Sequence, residues 1–160
     1  MIDSARHFLS VKSIKRVIQA MPLSKLNILH WHIVDDESFP LVLDSHPELA
    51  QSGRYSNGEV YTKDQVQDLI AYAKVNAVQI VPEIDSPAHV RSWGLSTQWS
   101  NISIKCPGGT GYNGQFDVSI PQVFTLAKDV IKEVNDLFKD SPYIHLGGDE
   151  VSSRCWDLRP

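Results

Sequence analysis

Apolar positions along this chain recur at two different spacings. Between residues 11 and 21, Val11, Ile14, Val17, Ile18 and Met21 fall three and four apart, the spacing of one helix face. Pro22 follows and stops that helix, because its ring lacks an amide hydrogen and clashes with the preceding turn. Residues 26–34 (LNILHWHIV) form a run rich in branched and aromatic side chains, which predicts a strand. Thr62 is placed to cap a second helix, with Val66, Leu69, Ile70 and Ala73 as its apolar stripe. Residues 77–84 (AVQIVPEI) read as another buried strand. A third helix is predicted over 121–138, with proline in its first turn and Val123, Leu126, Ala127, Val130, Ile131, Val134 and Leu137 on one face. Residues 1–3 read as the tail of a strand, and residues 143–146 as the start of a fourth.

The order is strand and helix in alternation, which argues for an α/β fold with a parallel sheet and right-handed crossovers. Two architectures satisfy it: an open doubly wound sheet and a (β/α)8 TIM barrel. Polar residues discriminate between them. Each strand runs at its C-terminal end into chemistry: Asp3 and Arg6; His30, His32, Asp35 and Asp36; Glu83, Asp85 and His89; His145, Asp149 and Glu150. A barrel gathers all strand ends round one mouth, whereas an open sheet focuses ligands at a single switch point. Four strands contributing alike favour the barrel. A complete barrel takes about 250 residues, so 160 residues predict a partial TIM barrel, roughly its first four βα units. On that expectation residues 1–160 are one N-terminal portion of a larger barrel domain, a fragment poorly stable by itself. Its first and fourth strands would be raw edges.

Composition narrows the function. The net charge is −4 with no basic run, which argues against nucleic acid or an anionic membrane as partner. No apolar stretch reaches membrane-spanning length. The first residues lack the apolar core of a signal peptide. Asn101-Ile-Ser103 fits the N-glycosylation pattern, and Cys106 and Cys155 are too few to define a disulfide framework. Together they lean towards an oxidising compartment.

The chemistry concentrates in Tyr143-Ile-His-Leu-Gly-Gly-Asp-Glu150, where an apolar strand runs into two glycines and two adjacent carboxylates. Gly147 and Gly148 let a ligand or another backbone come close. On a regular strand Asp149 and Glu150 would face opposite sides, so both reach one pocket only where the strand is ending. Adjacent like charges disfavour double ionisation and leave a proton donor beside an anion. Arg6 carries a planar fork that can bind two neighbouring oxygens of a ligand, the plain alternative being a surface arginine after a strand. His30 and His32 share a strand face and, with Asp35, raise the alternative of a metal-dependent hydrolase. The intervening Trp31 and the strand context favour packing, so neither metal nor cofactor is expected.

His145-Leu-Gly-Gly-Asp-Glu150 resembles the signature of glycoside hydrolase family 20, the β-N-acetylhexosaminidases. So do Asp3-Ser-Ala-Arg-His-Phe8, His30-Trp-His-Ile-Val-Asp-Asp-Glu-Ser-Phe-Pro40 and Pro82-Glu-Ile-Asp-Ser-Pro-Ala-His89, in the family's order. The similarity covers nearly the whole chain and is strongest to the eukaryotic lysosomal enzymes. One departure is Ala88, where the family often has glycine. The resemblance implies exo-hydrolysis of terminal non-reducing β-linked N-acetylglucosamine or N-acetylgalactosamine with retention. The substrate's own acetamido oxygen attacks the anomeric carbon. Glu150 protonates the leaving oxygen and then activates water; Asp149 holds the acetamido N–H and balances the developing positive charge. Arg6, Asp35 and His89 bind substrate or support the site, with His89 held by a carboxylate, Asp35 rather than Asp36. His145 and Asp85 are left between core and catalytic roles, and Trp93 between sugar contact and loop filling. The resemblance also implies a Cys106–Cys155 bridge, a glycan or glycoconjugate partner, a homo- or heterodimer of the full-length enzyme, and a lysosomal or secreted location. An inactive remnant or sugar-binding module is the competing reading.

Overall fold

The computed structural model describes residues 1–104 and 114–157. Three parallel strands form the sheet in the order β1 (Ile2–Asp3), β2 (Ile28–Val34) and β3 (Gln79–Ile84). Neighbours in space are neighbours in sequence, with no reversal of strand order. The register pairs Asp3 with His32 and His32 with Glu83, then shifts between His32 and Val34. These three polar residues therefore lie in one row across the sheet.

The helices form where the apolar spacing predicts them, with ends moved by a residue or two. Helix α1 (Val11–Ala20) starts at Ser10, whose side chain accepts from the Ser13 amide, and ends with Met21 as its cap. Ile14 and Ile18 are buried, whereas Val17 is 37% exposed at the margin of the stripe. Helix α3 (Lys63–Val75) opens with a reciprocal capping box between Thr62 and Gln65. Such a cap contributes about 1 kcal/mol. Helix α4 (Pro121–Leu137) buries Val123, Leu126, Val130 and Val134.

Alternation along β2 decides what each face carries. Leu29, Trp31 and Ile33 point one way into the apolar core, and His30 and His32 point the other. Trp31 is fully buried, edge-on to Tyr61 and Phe138, and its indole N–H donates to the Ser4 hydroxyl at 2.8 Å. Tyr61 donates to the Leu9 carbonyl at 2.6 Å. The core thus ties the ends of β1 and β2 together from beneath.

The fourth strand is shorter than its sequence suggests. Residues 143–146 run beside β3, with the His145 amide donating to the Pro82 carbonyl and the Ile84 amide to the His145 carbonyl, yet they form only an isolated parallel bridge at Glu83 and His145. Tyr143 and Leu146 remain 67% and 39% exposed, since this segment is paired along one side and lacks apolar cover. Among the described residues, four further elements have no strong sequence signal: α2 (Pro47–Gly53), α5 (Ser153–Asp157) and the antiparallel pair β4 (Ser103–Ile104) with β5 (Gln115–Phe116). Among the described residues no helix is long and apolar enough to cross a membrane.

Candidate active site

The polar strand ends converge at one edge of the sheet. Just past β1, Asp3 accepts from the amides of Ala5 and Arg6, which turns the chain and brings the Arg6 side chain back over the sheet. The guanidinium then meets Asp3 at 2.9 Å, Asp35 at 2.7 Å and Glu37 at 3.5 Å. Arg6 is 40% exposed, whereas Asp35 at the end of β2 is 1% exposed. Asp35 uses the same Oδ2 for Arg6 and for His32 Nε2, 2.7 Å away, while its Oδ1 accepts from the Asp36 amide. Burial works against the Asp35 charge, but the bonds from His32 and the Asp36 amide outweigh it and hold the carboxyl below its ordinary value. Of the two adjacent aspartates, Asp35 is the one that faces the site; Asp36 accepts from the Arg91 amide.

A second row of contacts carries the acid. His89 has φ 59°, a left-handed backbone, and its ring turns back onto the residue four before it. His89 Nδ1 lies 2.6 Å from Asp85 Oδ2, and Nε2 lies 3.0 Å from Glu150 Oε2. The Asp149 carboxylate approaches the same imidazole at 4.0 Å. This corrects the expected pairing of His89 with Asp35, which stand 3.8 Å apart: the carboxylate that holds His89 is Asp85. The reason is geometric. Asp35 is already engaged by Arg6 and His32, and Asp85 is fixed by the Gly148 amide at 3.2 Å. Burial disfavours the charged imidazole, but Asp85 and Glu150 more than compensate and push His89 up to about 9. Asp149 and Glu150 themselves are open to solvent, at 66% and 78% side-chain exposure.

Glu83 ends the third strand in sequence, without an assigned role. It is 4% exposed and receives three imidazoles: His30, His32 at 3.1 Å and His145 at 3.2 Å. The available signal was the match of two alternating rows, His30 and His32 on one strand and Glu83 and Asp85 on the next. Despite burial, its histidines hold Glu83 down at about 2, and Asp35 and Glu83 together hold His32 up at about 10. This pairing predicts a window of stability. Glu83 contributes above its ordinary 4.5 and loses that contribution as pH falls through about 2. His32 contributes below 6.5 and loses it as pH climbs through about 10. Thermal midpoints should therefore plateau between these two ordinary values and decline at alkaline pH; a midpoint still rising above pH 7 contradicts the pairing.

Among the described residues, three groups bring metal-type donors within 4.8 Å of one another: His30, Glu83 and His145; His32, Asp35 and Asp85; Asp85, His89 and Asp149. The structure therefore splits the His30, His32 and Asp35 trio considered from sequence: His30 turns to Glu83 while His32 bridges to Asp35. His145 and Asp85 both belong to the polar network. Trp93 does not; it is fully buried between Phe39 and Phe116. Cys106 lies outside the described residues, and Cys155 is buried on α5. A cleft of about 540 Å³ lies far from this chemistry, at the opposite end of the strands, with Ile28, Gln79 and Lys74 in its walls.

Comparison with known proteins agrees with this constellation. Residues 1–160 match the family described as "Glycosyl hydrolase family 20, catalytic domain". The chain is 41% identical to the cat (Felis catus) β-hexosaminidase subunit beta over all of its own length and 30% of the subunit's. It is 39% identical to the silkworm (Bombyx mori) chitooligosaccharidolytic β-N-acetylglucosaminidase, covering 98% of the chain and 27% of that protein. Among solved structures, the exo β-N-acetylglucosaminidase of Vibrio harveyi, in complex with N-acetylglucosamine, superposes with a TM-score of 0.85 at 31% identity, over 99% of this chain and 28% of that one. The Flavobacterium johnsoniae chitobiase gives 0.84 at 31% identity, over 100% and 24%. The chain thus spans about 30% of the length of the cat subunit. With its full length matched by the family and its α/β fold matching those enzymes, the chain belongs to glycoside hydrolase family 20.

Proposed function

We propose that residues 1–160 are the N-terminal portion of a family 20 catalytic TIM barrel, about its first four βα units. The protein they serve removes terminal non-reducing β-linked N-acetylglucosamine or N-acetylgalactosamine from glycans and glycoconjugates. The observation that carries this reading is the row Asp85–His89–Glu150, with contacts of 2.6 and 3.0 Å and Asp149 facing the same imidazole.

The geometry suits substrate-assisted hydrolysis. Glu150 is exposed, open to a glycosidic oxygen, and it gives its proton to that oxygen. The acetamido oxygen of the sugar closes onto the anomeric carbon, and Asp149 accepts the acetamido N–H and offsets the positive charge that forms. Glu150, now a carboxylate, takes a proton from water in the second step. His89, 3.0 Å away and held by Asp85, offers a positive charge that steadies the Glu150 carboxylate once its proton has left. Arg6, oriented by Asp3 and Asp35, holds the sugar hydroxyls. A Cys106–Cys155 bridge, a homo- or heterodimeric whole enzyme and a lysosomal or secreted location belong to the same proposal. The exposure of Asp149 and Glu150 favours one second reading: by themselves these 160 residues bind sugar with little turnover.

Asp149→Asn tests the proposal. In the enzyme containing this chain, turnover of N-acetyl sugars should fall by about 10²–10³-fold, the scale of one electrostatic group lost from a transition state. Side-by-side kinetics with 2-acetamido and 2-hydroxy substrates read it. An unchanged rate on the acetamido sugar would sink substrate assistance.

A further inference from the structure

We propose that Glu83 is a positioning residue for sugar binding: it holds His32, and His32 fixes the Asp35 carboxylate against Arg6. The proposal rests on Arg6 being the sugar clamp.

The links form one row. Glu83 on β3 is paired in register with His32 on β2, and the two side chains meet at 3.1 Å. The other nitrogen of the His32 ring lies 2.7 Å from Asp35 Oδ2. That same oxygen lies 2.7 Å from Arg6 Nη2. Glu83, His32 and Asp35 are all nearly inaccessible to solvent, while Arg6 at the end of the row is 40% exposed. The row thus runs from the buried sheet to the one group open to a ligand. Asp35 is drawn from both sides through a single oxygen, so its position depends on His32 presenting an N–H there. An imidazole donates from both nitrogens only as a cation. A buried cation needs an anion on its far side, and Glu83 is that anion.

Other charged groups face this row. Asp3 approaches His32 from β1, and Asp85 from the end of β3. His89 adjoins Asp35, and His30 and His145 share Glu83 with His32. The elevated value of His32, about 10 against an ordinary 6.5, agrees with a cation held across the neutral range. Glu83 meets imidazoles rather than Arg6, Asp149 or Glu150, so its loss should be felt in binding and not in proton transfer.

The test compares Glu83→Gln and Glu83→Asp with the unaltered enzyme. Glu83→Gln should raise KM for an N-acetylhexosaminide about tenfold, the scale of one charge-assisted hydrogen bond, with kcat within about threefold. Its KM should also begin to rise at a lower pH than in the unaltered enzyme, because His32 gives up its proton sooner without Glu83. Glu83→Asp keeps the charge and should restore KM to within about threefold. Nitrogen NMR of the His32 ring should show a cation through neutrality in the unaltered protein and a titration moved to lower pH in Glu83→Gln, where Asp35 alone bonds the ring. If Glu83→Gln does not fold, His32→Asn breaks the same link and should raise KM to the same degree. A normal KM in these variants, or a fall in kcat at constant KM, overturns the proposal. An unaltered enzyme without turnover overturns the proposed function instead, and the His32 signal then decides the link alone: the same titration with and without Glu83 refutes it.

Discussion

Glu150→Gln should abolish nearly all turnover, by about 10³-fold or more, while substrate still binds with near-normal affinity. Glutamine has the same length and shape, and its amide oxygen can still accept from His89 Nε2, so the 3.0 Å contact survives. What it lacks is a proton to give and a lone pair basic enough to take one back. Both halves of the reaction then fail at one atom. Arg6 and Asp35 are untouched, so KM should stay within a few fold. Leaving groups sort the cause. An aryl glycoside that departs without protonation should be far less affected in the first step than a sugar aglycone. Equal losses for both would mean that Glu150 is not the acid. Retention of a tenth of normal turnover on an oligosaccharide would remove it from the mechanism.

Much of this site was legible because its chemistry sits where strands end. The Gly147-Gly148-Asp149-Glu150 run, Arg6 past the first strand and His89 past the third all announce themselves as polar groups following apolar runs. Asp35 rather than Asp36 meets His32 and Arg6, although regular alternation would put Asp36 on the face of His30 and His32; the register shift between His32 and Val34 reverses the two. The partner of His89 was not legible. Sequence places Asp35 and Asp85 at equivalent strand ends, and the choice depends on the left-handed turn at His89, a backbone feature that no hydropathy pattern encodes. Glu83 is visible as a strand-end carboxylate, but its role is hidden for a related reason. Its partners lie on two neighbouring strands, and a register must be known before a glutamate on one strand can be matched to histidines on others. The fourth strand was overextended because an apolar run says nothing about what will cover it. Helix α2 went unseen because its seven residues are too few for a periodicity, and its cap, His46, makes no side-chain capping bond.

Gly147→Ala should be far more damaging than Gly148→Ala, although the two glycines are adjacent and both have positive φ. At Gly147, φ is 70° and an added Cβ would lie 1.7 Å from Asp85 Oδ1 and 3.1 Å from the Asp85 Cα. The first contact forces the carboxylate aside. The second involves backbone, so a change of side-chain rotamer cannot fully relieve it. Asp85 is buried and holds both the Gly148 amide and His89, so moving it leaves a buried charge without its partners. Breaking a buried pair in this way costs roughly 3–5 kcal/mol. The backbone strain of a left-handed alanine adds about 1–2 kcal/mol. At Gly148, φ is 95° and the added Cβ would meet nothing within 4 Å. Only backbone strain remains there, roughly 1–3 kcal/mol. Thermal or denaturant unfolding of the two variants measures the difference. Activity should separate as well, because a displaced Asp85 lets His89 drift from Glu150, and a misplacement of about 1 Å can cost 10²-fold in rate. Equal stability of the two variants would mean that Asp85 yields freely to the methyl group, and the rigid Asp85–His89–Glu150 row would then lose its anchor.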